Sequence, residues 1–217
     1  MFTIAYDSPT AANLKHNSTD TYFTLQEKAQ IEAACRQTAD ISRQVLQSLT
    51  LGSLNPKITA RLVEWFGNSS FKDIVERAKK MDSFIQGGGK ITFVDRRHKQ
   101  ERVIHDPKTP LTDQIIPMTE CDYAYVKLLS GYQASGTGHV GSGMRMYLGE
   151  RFFHPSKTIV DRSATIYHEI AHKVFAVPDV TYKAGPCRQL AKTQPAQALK
   201  NPDNWCLFAT SYVFTWP

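Results

Sequence analysis

The sequence predicts an α+β fold in which helices come first, a small mixed sheet follows, and a metal-binding helix lies after the sheet. Three observations carry this expectation. Residues 24–86 repeat apolar side chains at helical spacing. Gly87-Gly88-Gly89 then breaks the pattern, and short β-branched and aromatic runs follow it. From Ser156 the spacing is helical again and brings in His168, Glu169 and His172.

Taken in order, residues 1–22 are polar, with turn formers at Asp7-Ser8-Pro9 and Asn17-Ser18-Thr19-Asp20, and read as an irregular arm. Residues 23–217 read as one domain, with a helical part at 23–86 and a sheet plus catalytic helices at 90–217. Thr24 and Glu27 have the form of a capping box, because each side chain can satisfy the other residue's backbone N–H. Leu25, Ile31, Ala34, Ile41, Val45 and Leu49 recur near helical spacing in that helix, and Gly52 is its expected end. Asn55-Pro56 opens a second helix carrying Ile58, Leu62, Val63 and Phe66 on one face. A third starts near Ser69-Ser70 and carries Ile74, Ala78, Met81 and Phe84. Strands are expected at 91–94, 102–104, 123–128 and 144–153, the last with Met146, Leu148 and Phe152 on one phase. Ser156, Asp161 or Ser163 caps the next helix, which runs to about Phe175. Shorter helices are expected at 186–192 and from Asn201-Pro202 into Tyr212.

Composition narrows the class. Of 217 residues 41% are hydrophobic and 21% charged, which supports a packed core and argues against disorder. No run of 18 apolar residues exists, so no membrane span is expected. The net charge is +6, but the basic residues are scattered over Lys79-Lys80, Arg96-Arg97-His98-Lys99, Lys183, Arg188 and Lys192. Without a basic stripe or interleaved aromatic platform, no nucleic-acid partner is expected. Met1 to Asp7 shows neither the basic nor the apolar region of a cleaved signal. The expectation is therefore a cytoplasmic chain that leaves by a signal-peptide-independent route. Cys35, Cys121, Cys187 and Cys206 contain no CxxC pair, and both two disulfides and free thiols remain open.

The chemistry is concentrated in His168-Glu169-Ile170-Ala171-His172. Four residues make about one helical turn, so both imidazoles lie on one face and can share a metal ion. Glu169 sits about 100° round the helix, where it can reach a metal-activated water without being a ligand. It would take the proton of that water and return it to a leaving amine. Thr165, Ile166, Ile170, Ala171 and Val174 make the helix suited to burial, with Lys173 the charged exception. A catalytic zinc needs a third protein ligand. An extended HExxHxxGxxH motif fails, because Pro178 stands at its last position. Asp179 is the first carboxylate after the helix, and Pro178 before it turns the chain back. His154 is the other candidate.

These residues, with Asp179-Val180-Thr181-Tyr182, Cys187-Arg188-Gln189-Leu190-Ala191 and Asn201-Pro202-Asp203-Asn204-Trp205-Cys206-Leu207-Phe208, resemble the aspzincins, the deuterolysin and peptidyl-Lys metalloendopeptidase group. The strong match covers residues 165–212 and a weaker one reaches back to about residue 90. The resemblance implies a zincin-like fold and a zinc-dependent endopeptidase with one Zn(2+) per chain, acting as a monomer on a protein or peptide substrate. It implies that His168, His172 and Asp179 bind the metal, that Glu169 is the base, and that Tyr182 donates to the oxyanion. It places Asp203 in a substrate pocket that prefers Lys, with Cys206 where Lys-directed members carry a second acid. The family's Gly-Thr before the aspartate is Ala176-Val177 here, and its glycine after the tyrosine is Lys183. In zincins an edge strand pairs with substrate backbone, and residues 144–153, preceded by Gly141 and Gly143, are the candidate. The expected role is that of a bacterial secreted effector or toxin. A catalytically inactive zincin-like binding module is the competing reading, and the intact Glu169 stands against it.

Overall fold

The computed structural model describes residues 1–7, 23–51, 55–95, 101–104, 114–117, 124–126 and 144–217. Three helices precede most of the sheet. α1 (Leu25–Thr50) begins with the expected capping box, Glu27 N–H donating to Thr24 Oγ1 and Thr24 N–H to Glu27 Oε2. It ends at a Leu51 cap, one residue before Gly52, which lies outside the described residues. α2 (Pro56–Phe66) is capped by Asn55, whose Oδ1 accepts the Ile58 N–H, and α3 (Phe71–Gln86) is capped by Ser70.

The main sheet has the order β1 (Thr3–Asp7), β2 (Lys90–Asp95), β6 (Met144–Leu148), β5 (Ala124–Val126). The first three are parallel and β5 is antiparallel to β6. β3 (Glu101–Ile104) and β4 (Gln114–Pro117) form a separate antiparallel pair.

The structure departs from expectation at three places here. Residues 3–7 are a strand, not part of an irregular arm, because their backbone pairs with β2 from Thr3↔Lys90 to Asp7↔Val94. Residues 8–22 lie outside the described residues. The strand expected at 144–153 stops at Leu148, and Gly149 leads into a helical turn, α4 (Glu150–Phe153). β6 is also interior. It pairs with β2 along its length and with β5 at Met146–Leu148, so it is not the edge strand of this sheet. Gly141 and Gly143 lie outside the described residues.

α5 (Ile159–Phe175) carries the HExxH residues and packs against α1, α3, β5 and α8 (Pro202–Thr210). Its cap is Thr158, with Asp161 closing a capping box from inside the helix. Ser156 and Ser163 do neither: Ser156 Oγ bonds His154 Nδ1, and Ser163 is buried against α1. The α1–α5 contact is close because small residues meet there, with Ser163 Oγ donating to Ala34 O and Thr38 Oγ1 to Ser163 O. Arg162 is buried and its guanidinium donates to the carbonyls of Phe152, His154 and Lys157, which ties α4 to the start of α5.

α6 (Ala184–Thr193) and the short α7 (Pro195–Ala198) complete the helices. Phe66, Phe175, Trp205 and Phe208 form an aromatic cluster joining α2, α5 and α8, with Phe66 and Trp205 centroids 4.7 Å apart. Burying each such side chain contributes roughly 1.5–3 kcal/mol. This packing fixes α8 beside the ligand-bearing face of α5. Among the described residues no helix is long and apolar enough to cross a membrane.

Candidate metal centre

His168 and His172 lie one turn apart on the buried face of α5, and their Nε2 atoms are 2.9 Å apart. α5 ends at Ala176, and the following loop carries Asp179 back over the histidines. Asp179 Oδ1 lies 3.1 Å from His168 Nε2 and 3.3 Å from His172 Nε2. His154, the other candidate third ligand, is instead bonded to Ser156 on the surface.

The outer nitrogens decide what the inner ones can do. His172 Nδ1 is 2.7 Å from the Val177 carbonyl, which can only accept, so Nδ1 carries the proton. His168 Nδ1 is 2.8 Å from Asp203 Oδ1, which assigns its proton in the same way. In the neutral tautomers both Nε2 atoms then present lone pairs to each other and to a carboxylate oxygen. Asp179 Oδ1 is buried, and the nearby nitrogens are not aligned to donate to it. Three electron-pair donors facing one point call for a cation. Bonds of about 2.0–2.2 Å at tetrahedral angles put donors roughly 3.3–3.5 Å apart, close to the separations seen, so the residues fit zinc.

With no cation between the donors, a proton on His168 takes its place. Burial opposes a charged His168, yet contacts with Asp179, Asp203 and Cys206 hold its pKa well above the usual value. Burial would raise Asp179, but His168, His172 and the Tyr182 hydroxyl outweigh it and hold the carboxyl well below the usual range. Tyr182 is raised by burial and by its bond to Asp179, and stays protonated. Its ring stacks near His168 at 6.2 Å, and the residue is 55% exposed, so it stands at the mouth of the centre. Glu169 is buried next to His168 and its charge acts on that ring.

Asp203 supports the centre from behind the His168 ring. Its Oδ1 faces His168 Nδ1 and its Oδ2 accepts the Lys183 N–H at 2.8 Å, so both oxygens are engaged inside the protein. Such a carboxylate–histidine pair fixes ring orientation and raises ligand basicity.

Sequence reasoning missed Asn201 and Asn204. Asn201 sits at the α8 N-cap position but makes no side-chain cap bond. Its Oδ1 accepts from the N–H groups of Val180 and Thr181, and its Nδ2 donates to Thr181 O and to Asn204 Oδ1. Asn204 Nδ2 in turn donates to Trp65 O and Cys187 O. Both amides are fully buried. The segment between Asp179 and Tyr182 is thus pinned to α8. The signal was an amide at a cap position with a second one three residues on.

Two backbone positions in this loop are strained. Ala176 (φ 53, ψ 47) and Lys183 (φ 70, ψ 154) are the positive-φ residues other than glycine among the described residues. They are the two positions where the resembling pattern has glycine.

A helix-borne histidine pair, a carboxylate from the next loop and an adjacent glutamate make the donor set of a hydrolytic zinc centre. The family model described as lysine-specific metallo-endopeptidase, the aspzincin model, matches residues 52–210. The chain belongs to this family of zinc-dependent metallopeptidases. Among solved structures it is similar to a zinc peptidase from Grifola frondosa, with a TM-score of 0.57 and 18% identity, over 88% of this chain and 98% of that one. At that identity the likeness concerns the fold, which is α+β as expected. Comparison with curated proteins returns no match.

Proposed function

We propose that the chain is a zinc endopeptidase in which His168 Nε2, His172 Nε2 and Asp179 Oδ1 hold one ion. The observation that carries this reading is the convergence of three donor atoms on one point, with the Nδ1–H of each ring committed to an outer partner so that Nε2 is the atom each ring offers to a metal. Zinc bound there would polarise the scissile carbonyl and lower the pKa of a water. Glu169 takes the water's proton and delivers it to the leaving amine. Tyr182 turns its hydroxyl from Asp179 to the carbonyl oxygen as charge develops on it. Asp203 and the Val177 carbonyl keep the two rings aimed. The edge strand beside α5 is β5, which supports substrate pairing there rather than on β6.

Lysine preference is weak in this reading. One acidic pocket position of the Lys-directed relatives is Cys206, and the carboxylate at the other, Asp203, serves His168 and Lys183. Cleavage of a proteome-derived peptide library, with and without a chelator, tests the proposal. Chelator-sensitive cleavage restored by zinc, without a dominant lysine signature, is the expected outcome. Zinc-loaded protein that cuts no peptide would favour the binding-module reading.

A further inference from the structure

A second set of donors converges on the other side of the His168 ring. His168 Nδ1 lies 2.8 Å from Asp203 Oδ1, and Cys206 Sγ lies 3.8 Å from the same oxygen. One donor atom from each residue falls within 4.8 Å of the others. Asp203 and Cys206 are three residues apart on α8, so both project from one helix face toward α5. Cys206 is a buried free thiol. The Asp203 side chain is 16% exposed, which gives the cluster a route to solvent.

Imidazole, carboxylate and thiol together are donors that zinc and softer divalent ions take, and that magnesium or calcium do not. Metal bonds of about 2.0–2.3 Å at tetrahedral angles separate such donors by roughly 3.3–3.7 Å. The observed 2.8 and 3.8 Å bracket that range.

We propose that His168 Nδ1, Asp203 Oδ1 and Cys206 Sγ form a second, inhibitory site for a thiophilic divalent cation, such as cadmium or excess zinc, with the His168 ring shared between the two centres. With the first ion in place, the incoming ion replaces the proton on Cys206 Sγ and the one that His168 Nδ1 donates to Asp203, so two protons leave, the His168–Asp203 hydrogen bond is exchanged for metal bonds, and the ring becomes an imidazolate bridging the two ions. It binds more weakly than the first ion, because the two positive charges face each other across one ring. It also takes over the Asp203 oxygen that aims His168. The site shares His168 with the peptidase centre but does not require that the chain cleave peptides.

Cobalt titrated into the metal-free full chain tests this, followed by the thiolate-to-cobalt charge-transfer absorption. Wild type should take up two ions, with the thiolate band growing only as the weaker one binds. Cys206→Ala and Cys206→Ser should keep the tighter ion and lose the band, whereas Asp179→Ala should keep the band and lose the tighter ion. Excess cadmium should slow cleavage by zinc-loaded wild type and not by Cys206→Ala. A wild type that binds one ion without the band, or a band that survives in both Cys206 variants, overturns the second site. Two-ion uptake with the band in wild type, and the band in Asp179→Ala, uphold it even if no peptide is cut.

Discussion

His168 and His172 reach their places because four residues make about one turn of helix. Asp179 and Tyr182 reach theirs because Asn201 and Asn204, on a different helix, hold the chain between them. The first half of the centre is local and is stabilised by the Thr158–Asp161 capping box and the packing of α5 on α1 and α8. The second half is non-local, and it is bounded by Ala176 and Lys183 in positive-φ conformations. One half can be damaged through local helix stability, the other only through tertiary contacts. Loop positions held by buried networks are where strain is stored and function is tuned.

The largest effect is expected at the chemistry itself. Glu169→Gln should lower cleavage by roughly 10²–10⁴-fold while zinc content stays at the wild-type level; cleavage at the wild-type rate would remove Glu169 as the base. Tyr182→Phe should lower kcat by about 10²-fold with little change in KM or zinc affinity. Loss of zinc in that variant would move Tyr182 from the reaction to the support of Asp179. Asn201→Ala should weaken zinc binding roughly 10–100-fold and cost about 1–3 kcal/mol of stability. Its counterpart in the helical half, Thr158→Ala, should cost about 1 kcal/mol and leave zinc affinity unchanged. Equal effects of these two on zinc affinity would erase the contrast. The smallest effect is a gain: Ala176→Gly and Lys183→Gly should each add about 1 kcal/mol, read as a higher urea midpoint at constant slope.

The helical half was legible because periodicity is written in neighbouring residues. Thr24–Glu27, Asn55-Pro56 and His168–His172 could be placed without knowing the fold. Asp179 was one of two candidates from its place just after the helix, and the resemblance chose it over His154; Tyr182 was legible only through the resemblance. The pairing of Asp203 with His168 depends on how α8 packs on α5, which its first-turn position on α8 does not announce. β1 was missed because Thr3–Asp7 alternates weakly and its partner strand lies beyond three helices. β6 was read as too long and as an edge because strand order is set by pairing partners remote in sequence. Of the four cysteines, Cys35, Cys187 and Cys206 are buried free thiols, and Cys121 lies outside the described residues.

The measurement that bears most directly on the centre is zinc affinity, by competition with a chromophoric chelator, for wild type and Asp179→Ala. The account predicts one tight zinc per wild-type chain. It also predicts a loss in Asp179→Ala larger than the roughly 10–100-fold that removing an orienting partner costs. A variant that holds zinc as tightly as wild type would contradict Asp179 as the third ligand.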